Sequence, residues 1–436
     1  MKLFPQIGDQ AVFRYNITSE FLGVTLSARL AFSKRSWPFV EAVAVPWLVC
    51  AGQRCMSRLS FLGTHRRSAS AYYRFLSDGK WRLEVLFHSL FDLIVRTFHV
   101  ESLTLVLDDT LCPKWGQKIF GTGRFFDHVR RPRPGFIWGH DWVVLAVVVP
   151  IGSVGVAALP FWISLYRQKK SCERGQFQTR HQLASFVLER VRSWFPGRIR
   201  LVADGAYTNQ SLVVPAMTQG ITVISRLRSD AKLRKLAPKS APKSQRGRKP
   251  KLGAWLPKPP SLARERSKFA KHVVAIYGKR VQLELREVVA WWPPLKCAIK
   301  LVITRDPRGK RRNAYLMTTD LGMSAIEVVE TFAQRWSIEQ LFSVAKNQLG
   351  LDSAEVRKER SVLRHAALCM ALATWTEVWA KRFRPSLQAR SFAVKLSALR
   401  TETIAQTIFT SGPRHKGSRR YAKGLAALFS TATQAA

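Results

Sequence analysis

The chain has 436 residues, which fits two or three domains, and its 71 Lys and Arg against 28 Asp and Glu give a formal net charge of +43. So many uncompensated positive charges repel one another, which excludes a protein that works without a polyanionic partner. That partner is either nucleic acid or an anionic membrane surface. The six cysteines form no C-x-x-C pair and complete no zinc spacing, so they are interpreted as reduced thiols of a cytoplasmic protein.

Residues 1–100 are predicted to form a helical N-terminal domain, because the segments 37–50 and 81–98 have helix-compatible apolar content. Between these segments lies a basic and aromatic stretch, GTHRRSASAYYRFLSDGKW. We interpret the domain as DNA-binding, with this stretch gripping duplex phosphates. The alternative is a helical domain with a solvated positive surface, and no helix-turn-helix spacing decides between the two.

A mixed α/β sheet is predicted from residue 101 onward, where short apolar runs alternate with helical ones. Strands are expected at 103–108, 140–150, 156–166, 198–207 and 221–228, and helices at 182–194 and 211–220. His140 and Asp141, which precede the second strand, are interpreted as turn residues, with support of the residues that carry the chemistry as the alternative.

The uncharged segment 143–163 has the length of a transmembrane helix. However, Pro150, Gly152 and Gly155 lie at its centre, and valine dominates its first half. Glycine and proline clusters separate strands, so two buried strands joined by a tight turn are predicted here. We therefore expect no membrane partner.

Residues 229–320 are predicted to form a basic, β-rich insertion. Their first part is rich in Lys, Arg, Pro and Ser, which is typical of a loosely packed segment, and strands are expected at 281–292, 298–306 and 313–320. The chain is expected to be helical from Ser324 onward, including a basic C-terminal helical region at 381–436.

Two acidic residues each end a predicted apolar strand. Asp108 follows LTLVL and Asp204 follows RIRLVA. Phosphodiester chemistry with two metal ions requires carboxylates that converge from different elements, and Mg²⁺ prefers oxygen ligands. Either residue on its own is equally compatible with a simple turn.

A sharper pattern lies in TFAQRWSIEQLFSVAKNQLG, read as one helix. Its residues Phe332, Arg335, Glu339 and Lys346 fall within about 60° of one another at 100° per residue. They would form one narrow stripe, in which a metal-binding Glu is flanked by cations that contact phosphates. The alternative is an ordinary amphipathic helix with its charges in solvent.

The spacing Phe332-x2-Arg335-x3-Glu339-x6-Lys346 resembles the Y-R-E-K signature of DDE transposases from bacterial insertion sequences, with Phe in the place of Tyr. The L-D-D-T motif around Asp108 resembles the first acidic motif of that family, and ADGAY around Asp204 resembles the second. The resemblance covers about residues 65–375.

This resemblance implies a ribonuclease-H-like catalytic core made of residues 101–228 and 321–380, with the insertion at 229–320 before its last helices. Asp108, Asp204 and Glu339 would be the catalytic residues and the ligands of two Mg²⁺ ions, for which Mn²⁺ would substitute. Asp109 stays open as the alternative to Asp108, because neighbouring strand residues point to opposite faces.

Five residues are candidates for DNA contact. The resemblance implies this role for Arg335, Lys346 and Phe332, while Lys114 and Lys118 belong to a basic loop that follows the first acidic motif.

The predicted function is DNA transposition: cleavage at the terminal inverted repeats of a mobile element and joining of the freed 3′-hydroxyl to target DNA. Two DNA ends must be paired, so we expect a homodimer in the DNA complex, associated with the nucleoid in a bacterial cytoplasm. The alternatives are an inactive or decayed DNA-binding protein, such as a repressor, and a purely hydrolytic nuclease.

Overall fold

The structure, a computed structural model, describes residues 17–50, 52–62, 68–127, 133, 135–152, 155–237 and 252–410. Parts of three predicted segments lie outside the described residues, namely 63–67, 238–251 and 411–436. The chain divides into two compact units. The first comprises the described parts of 1–99, 112–122 and 343–436, and the second comprises those of 100–111 and 123–342.

The helices and strands of the described residues follow in chain order. The α-helices are α1 (Ile17–Thr25), α2 (Trp37–Val49), α3 (Met56–Leu62), α4 (Ala69–Ser77), α5 (Leu83–Phe98), α6 (Arg180–Trp194), α7 (Gln210–Thr218), α8 (Pro259–Leu262), α9 (Ala325–Ala333), α10 (Trp336–Asn347), α11 (Glu359–Phe383) and α12 (Phe392–Thr410). The strands are β1 (Leu103–Pro113), β2 (Gly123–Asp127), β3 (Gly135–Ile151), β4 (Gly155–Tyr166), β5 (Ile199–Ala203), β6 (Ile221–Arg226), β7 (Ala270–Ile276), β8 (Lys279–Trp292), β9 (Cys297–Arg305) and β10 (Ala314–Thr318).

The first unit is helical, as predicted for the part of residues 1–100 that the structure describes. Its most buried helix is α11, which packs against α1, α4 and α5. Trp47 of α2 also reaches this helix: its ring lies 4.9 Å from that of His365, and its Nε1 donates to the carbonyl oxygen of Leu349 at 2.9 Å. A buried large apolar side chain contributes roughly 1.5–3 kcal/mol, so this shared core holds the helices together.

The second unit is built on one mixed sheet with the strand order β2-β3-β1-β5-β6-β10-β9-β8-β7, and β4 pairs with β3. β1, β5 and β6 run parallel, while β10 runs antiparallel to β6. These central strands are rich in Val, Leu and Ile and largely buried, as expected of strands covered by helices. The predicted mixed α/β fold with additional helical regions is confirmed.

The uncharged segment 143–163 is a hairpin, as predicted. β3 and β4 pair antiparallel from Asp141 with Tyr166 to Ile151 with Gly155, with one irregularity after Leu145. No helix in the described part of the chain is long and apolar enough to cross a membrane. The segment is therefore part of the sheet core.

The strands of the predicted insertion extend the same sheet. β10 pairs with β6 and with β9, β9 pairs with β8, and β8 pairs with β7. α9 then packs against β5, β6 and the insertion strands β7 to β10. The strands that precede the predicted insertion and the strands within it thus share one hydrogen-bonded layer.

Two predicted boundaries are wrong. β1 does not end at Asp108 but continues to Pro113, because it lies inside the sheet between β3 and β5. The stretch from Phe332 to Lys346 is not one helix, because α9 ends at Ala333 and α10 begins at Trp336. At this break the amide of Arg335 donates to the carbonyl of Phe332, an i→i+3 bond that tightens the turn. The angular spacing of a continuous helix does not apply across it.

Candidate active site

Two parallel strands bring the first two acidic residues side by side. Leu107 of β1 pairs with Ala203 of β5, so Asp108 and Asp204 occupy the next positions of neighbouring strands. Asp204 leads into the 3₁₀ turn Gly205–Tyr207, and its carbonyl accepts from the amide of Tyr207 at 3.0 Å. This turn fixes Asp204 at the carboxyl edge of the sheet.

Arg335, at the break between α9 and α10, joins the first acid to the third. Its Nη1 donates to Oδ2 of Asp108 at 2.8 Å, and its Nη2 donates to Oε1 of Glu339 at 2.5 Å. The guanidinium presents its donors in a rigid fork, which suits two carboxylates at once. Arg335, at the break between the helices, therefore connects Glu339 to Asp108.

The acidic residues influence one another electrostatically. Burial raises the pKa of Asp108 from 3.8 to about 7; Arg335 opposes this increase, whereas the negative charges of Asp109 and Asp204 add to it. Asp204 also helps to raise the pKa of Arg335, together with Asp108 and Glu339, although burial acts in the opposite direction. Asp108, Asp204, Arg335 and Glu339 therefore form one electrostatic cluster.

The convergence of Asp108, Asp204 and Glu339 on two shared metal ions stays a prediction. Within the described ranges, no group of three His, Cys, Asp or Glu side chains lies close enough to hold one ion. The guanidinium of Arg335 pairs with the carboxylates of both Asp108 and Glu339, so its single positive charge offsets only part of their combined negative charge.

The donor chemistry of the cluster nevertheless fits hard divalent cations. Asp108, Asp204 and Glu339 offer carboxylate oxygens only, which Mg²⁺ prefers. A cation beside Asp108 would favour its charged form, which burial and two neighbouring acids disfavour.

A second polar cluster involves Asp109, and the sequence analysis missed it. The Tyr207 hydroxyl donates to Oδ1 of Asp109 at 2.8 Å, and Nε of Arg180 lies 3.8 Å from Oδ2. Arg180 Nε also donates to Oδ2 of Asp141 at 2.7 Å, and its guanidinium lies 4.3 Å from the ring centre of Tyr166. Asp109 is therefore linked to the turn that carries Asp204, and it is not a free neighbour of Asp108.

Asp141 lies at the buried end of this cluster. Interpreting His140 and Asp141 as turn residues is wrong, because both are buried within β3. Burial raises the pKa of Asp141 to about 7, the charge of Asp109 adds to this, and Arg180 opposes it. Oδ1 of Asp141 has no hydrogen-bond partner among the described residues. The signal that was missed is a lone acid among apolar residues in a long strand.

The residues predicted to contact DNA are placed very differently. Lys114 is buried, and its Nζ donates to the carbonyl of Asp352 at 2.6 Å, so its interpretation as a surface contact is wrong. Burial lowers the pKa of Lys114. Lys118 is exposed, whereas Phe332, in the last turn of α9, and Lys346, in the last turn of α10, are half-buried.

The comparison with protein families identifies the family of the chain. A family described as DDE superfamily endonuclease matches residues 31–282, more than half of the chain. The match includes Asp108 and Asp204 and ends before Glu339, so the Y-R-E-K signature stays a prediction. No curated protein matches the sequence significantly. The mixed sheet is consistent with the ribonuclease-H-like fold of such nucleases, and the chain belongs to the DDE superfamily endonuclease family.

Proposed function

We propose that this DDE-type nuclease is a transposase, which cleaves DNA at the ends of a mobile element and joins those ends to target DNA. Asp108, Asp204 and Glu339 are its catalytic acids. The observation that carries the proposal is the pairing of Arg335 with both Asp108 and Glu339, next to Asp204 on the neighbouring strand. This arrangement contains three acids in the order D, D, E, and the intervals between them in the chain are 96 and 135 residues.

DDE superfamily endonucleases generally use divalent metal ions, and the oxygen donors of the three acids suit Mg²⁺, with Mn²⁺ as a substitute. Two such ions would supply Lewis acidity and would activate a water molecule or a DNA 3′-hydroxyl as the nucleophile. Asp108, Asp204 and Glu339 would hold them, and the positive charge would lower the pKa of Asp108, which burial raises.

Arg335 has a separate task in this proposal. It is 20% exposed, and a guanidinium has five N–H donors, of which two are used by Asp108 and Glu339. The remaining donors can bind a non-bridging oxygen of the scissile phosphate. Arg335 thus orients both the acids and the substrate.

The family assignment implies a DNA substrate, and we propose double-stranded DNA at the terminal inverted repeats and at the target. A net charge of +43 supports contacts with many phosphates, each of which releases a counterion. Because two ends are joined together, the active complex is proposed to be a homodimer on DNA, associated with the nucleoid of a bacterial cell.

The test uses a labelled duplex that carries the inverted repeat flanking the gene, a supercoiled target plasmid and Mg²⁺. We expect wild-type protein to nick the duplex and join it to the plasmid. Asp204→Asn and Glu339→Gln should reduce both reactions to background while duplex affinity is retained. Glu189→Gln, an exposed acid of α6, is the matched control and should behave as wild type.

Each alternative has its own outcome. Cleavage without joining would identify a hydrolytic nuclease. Duplex binding without cleavage, in wild-type protein with Mg²⁺ or Mn²⁺, would identify an inactive DNA-binding protein. Full activity of Asp204→Asn would contradict the assignment of the site itself.

A further inference from the structure

One end of the insertion strands is strongly basic. The basic rim, defined as residues 263–268 and 305–313, comprises the turn between β9 and β10 and the segment after α8. It lines a cavity of about 570 Å³. Its exposed cations are Arg264, Arg266, Lys268, Arg308, Lys310, Arg311 and Arg312. Such a surface has the chemistry to bind several phosphate groups.

The acids of the basic rim do not neutralise these cations. Glu265 lies 3.2 Å from Arg286, outside the rim, and Oδ1 of Asp306 accepts the backbone amide of Arg308 at 2.9 Å. Arg305 is paired with Glu284 at 3.2 Å. The seven exposed cations have no salt-bridge partner among the residues that the structure describes. Their charge is therefore available to a ligand.

The strand register places the basic rim on the same edge of the sheet as the acids. Ala203, just before Asp204, pairs with Ser225 of β6, Ser225 pairs with Met317 of β10, and Met317 pairs with Leu301 of β9. β10 runs antiparallel to β6, so its first residue lies at the edge where β5 and β6 end. The turn between β9 and β10 therefore projects from that same edge.

The distance between the two sites follows from the strand order. β10 and β9 lie two and three strands from β5, which at about 4.8 Å per strand is roughly 10 and 14 Å. Arg226, at the end of β6, is exposed and lies between them. A duplex rises about 3.4 Å per base pair, so this distance corresponds to roughly three or four base pairs.

We propose that the basic rim binds the phosphate backbone of the duplex whose scissile phosphate lies at Asp204, about three or four base pairs away. This position rests on the proposed function; the binding of duplex DNA by the rim does not. Arg side chains bind phosphate oxygens in a bidentate manner, and five of the seven exposed cations are Arg. The rim has no exposed Trp, Phe or Leu of the kind that anchors proteins in lipid, which argues against a membrane surface.

The test measures the affinity of metal-free protein for a labelled duplex of mixed sequence over a series of salt concentrations. The test variant is Arg308→Gln/Lys310→Gln/Arg311→Gln. The control is Lys296→Asn, which removes an exposed cation from the turn before β9, at the opposite edge of the sheet. Asn suits this position because Lys296 has φ 52°, in the left-handed region.

If the rim binds phosphates, the slope of log K against log salt should become less steep by about 0.9 for each lost contact, and thus by up to about 2.7 in the triple variant. Lys296→Asn should leave the slope unchanged. The proposal is overturned if the triple variant keeps the wild-type slope, or if Lys296→Asn has the same effect per charge removed. Arg311→Gln alone, with a wild-type melting curve, repeats the test if the triple variant is unstable.

These results are independent of catalysis, because no metal is present. A reduced slope without any cleavage by wild-type protein would uphold the rim and reject the proposed function. An unchanged slope in the triple variant, with normal cleavage and joining by wild-type protein, would reject the proposed role of the basic rim and uphold the proposed function.

Discussion

Replacing Asp108 by Asn should make the metal-free protein more stable while it abolishes cleavage. Burial and the charges of Asp109 and Asp204 raise the pKa of Asp108 from 3.8 to about 7 against the opposing effect of Arg335. Because the folded state then holds a proton that the unfolded chain releases, the free energy of unfolding falls as pH rises from about 4 to about 7. Below this pH range Asp108 does not change the free energy of unfolding, and above it the full loss of stability remains.

The size of the effect follows from the same values. The difference between 3.8 and about 7, at about 1.36 kcal/mol per pKa unit, amounts to about 4 kcal/mol above pH 7. At pH 5 the free energy of unfolding has lost only the share that accumulates between pH 3.8 and pH 5, which is under about 2 kcal/mol. Asn keeps the shape of the side chain and an acceptor for the amide of Asp109, so it should escape the penalty.

The assay is urea denaturation in EDTA at pH 8 and at pH 5, with Glu189→Gln as the control. We expect Asp108→Asn to raise the free energy of unfolding by a few kcal/mol at pH 8 and by much less at pH 5. Adding Mg²⁺ should stabilise the wild-type protein and leave the variant unchanged. A variant that is less stable than wild type at pH 8, or a difference independent of pH, would refute the reasoning.

Three further predictions concern other residues. Tyr207→Phe removes a donor to Asp109 and should lower the free energy of unfolding by about 1–3 kcal/mol and slow single-turnover cleavage at unchanged duplex affinity; a wild-type rate would contradict the link to the Asp204 turn. Arg335→Lys keeps the positive charge but loses the second of the two donors that bind Asp108 and Glu339 together, and one charged hydrogen bond is worth about 1.5–3 kcal/mol, so the rate of cleavage should fall about tenfold to a hundredfold. A wild-type rate would show that Arg335 does not need to bridge the two acids. Lys114→Met should destabilise by about 1–3 kcal/mol, because buried carbonyls lose their donor, without changing the affinity for DNA; weaker binding by a protein of wild-type stability would restore Lys114 as a contact.

The sequence was most informative where local chemistry decides structure. The pair of strands at 143–163 was predictable because Pro150, Gly152 and Gly155 interrupt an apolar run. α6 begins after a capping box of Thr179 and Gln182, close to the predicted start. In such cases the determining residues lie within one turn of each other.

The predictions failed where the partner of a residue is remote in the chain. Asp108 was interpreted as the end of a strand, because no residue near it in the sequence indicates that Arg335 pairs with its charge inside the sheet. Lys114 looked solvated, although its acceptor on Asp352 lies 238 residues away. The helix break at Arg335 contains neither Gly nor Pro, so no local signal marked it. The pairing of a buried charge depends on the tertiary structure, and a single sequence does not indicate which distant residue provides the partner.

The single continuous sheet of the second unit makes the protein a molecular ruler. Because β5 and β9 belong to the same hydrogen-bonded layer, no hinge separates the residues proposed to cleave DNA from the basic rim proposed to bind it. The interval between grip and cut is set by how many strands lie between them, each about 4.8 Å wide. One added or deleted strand would therefore move the cut by little more than one base pair, about 3.4 Å, relative to the gripped phosphates. Variation in the number of strands is thus a means of changing where the DNA is cut without altering any catalytic residue.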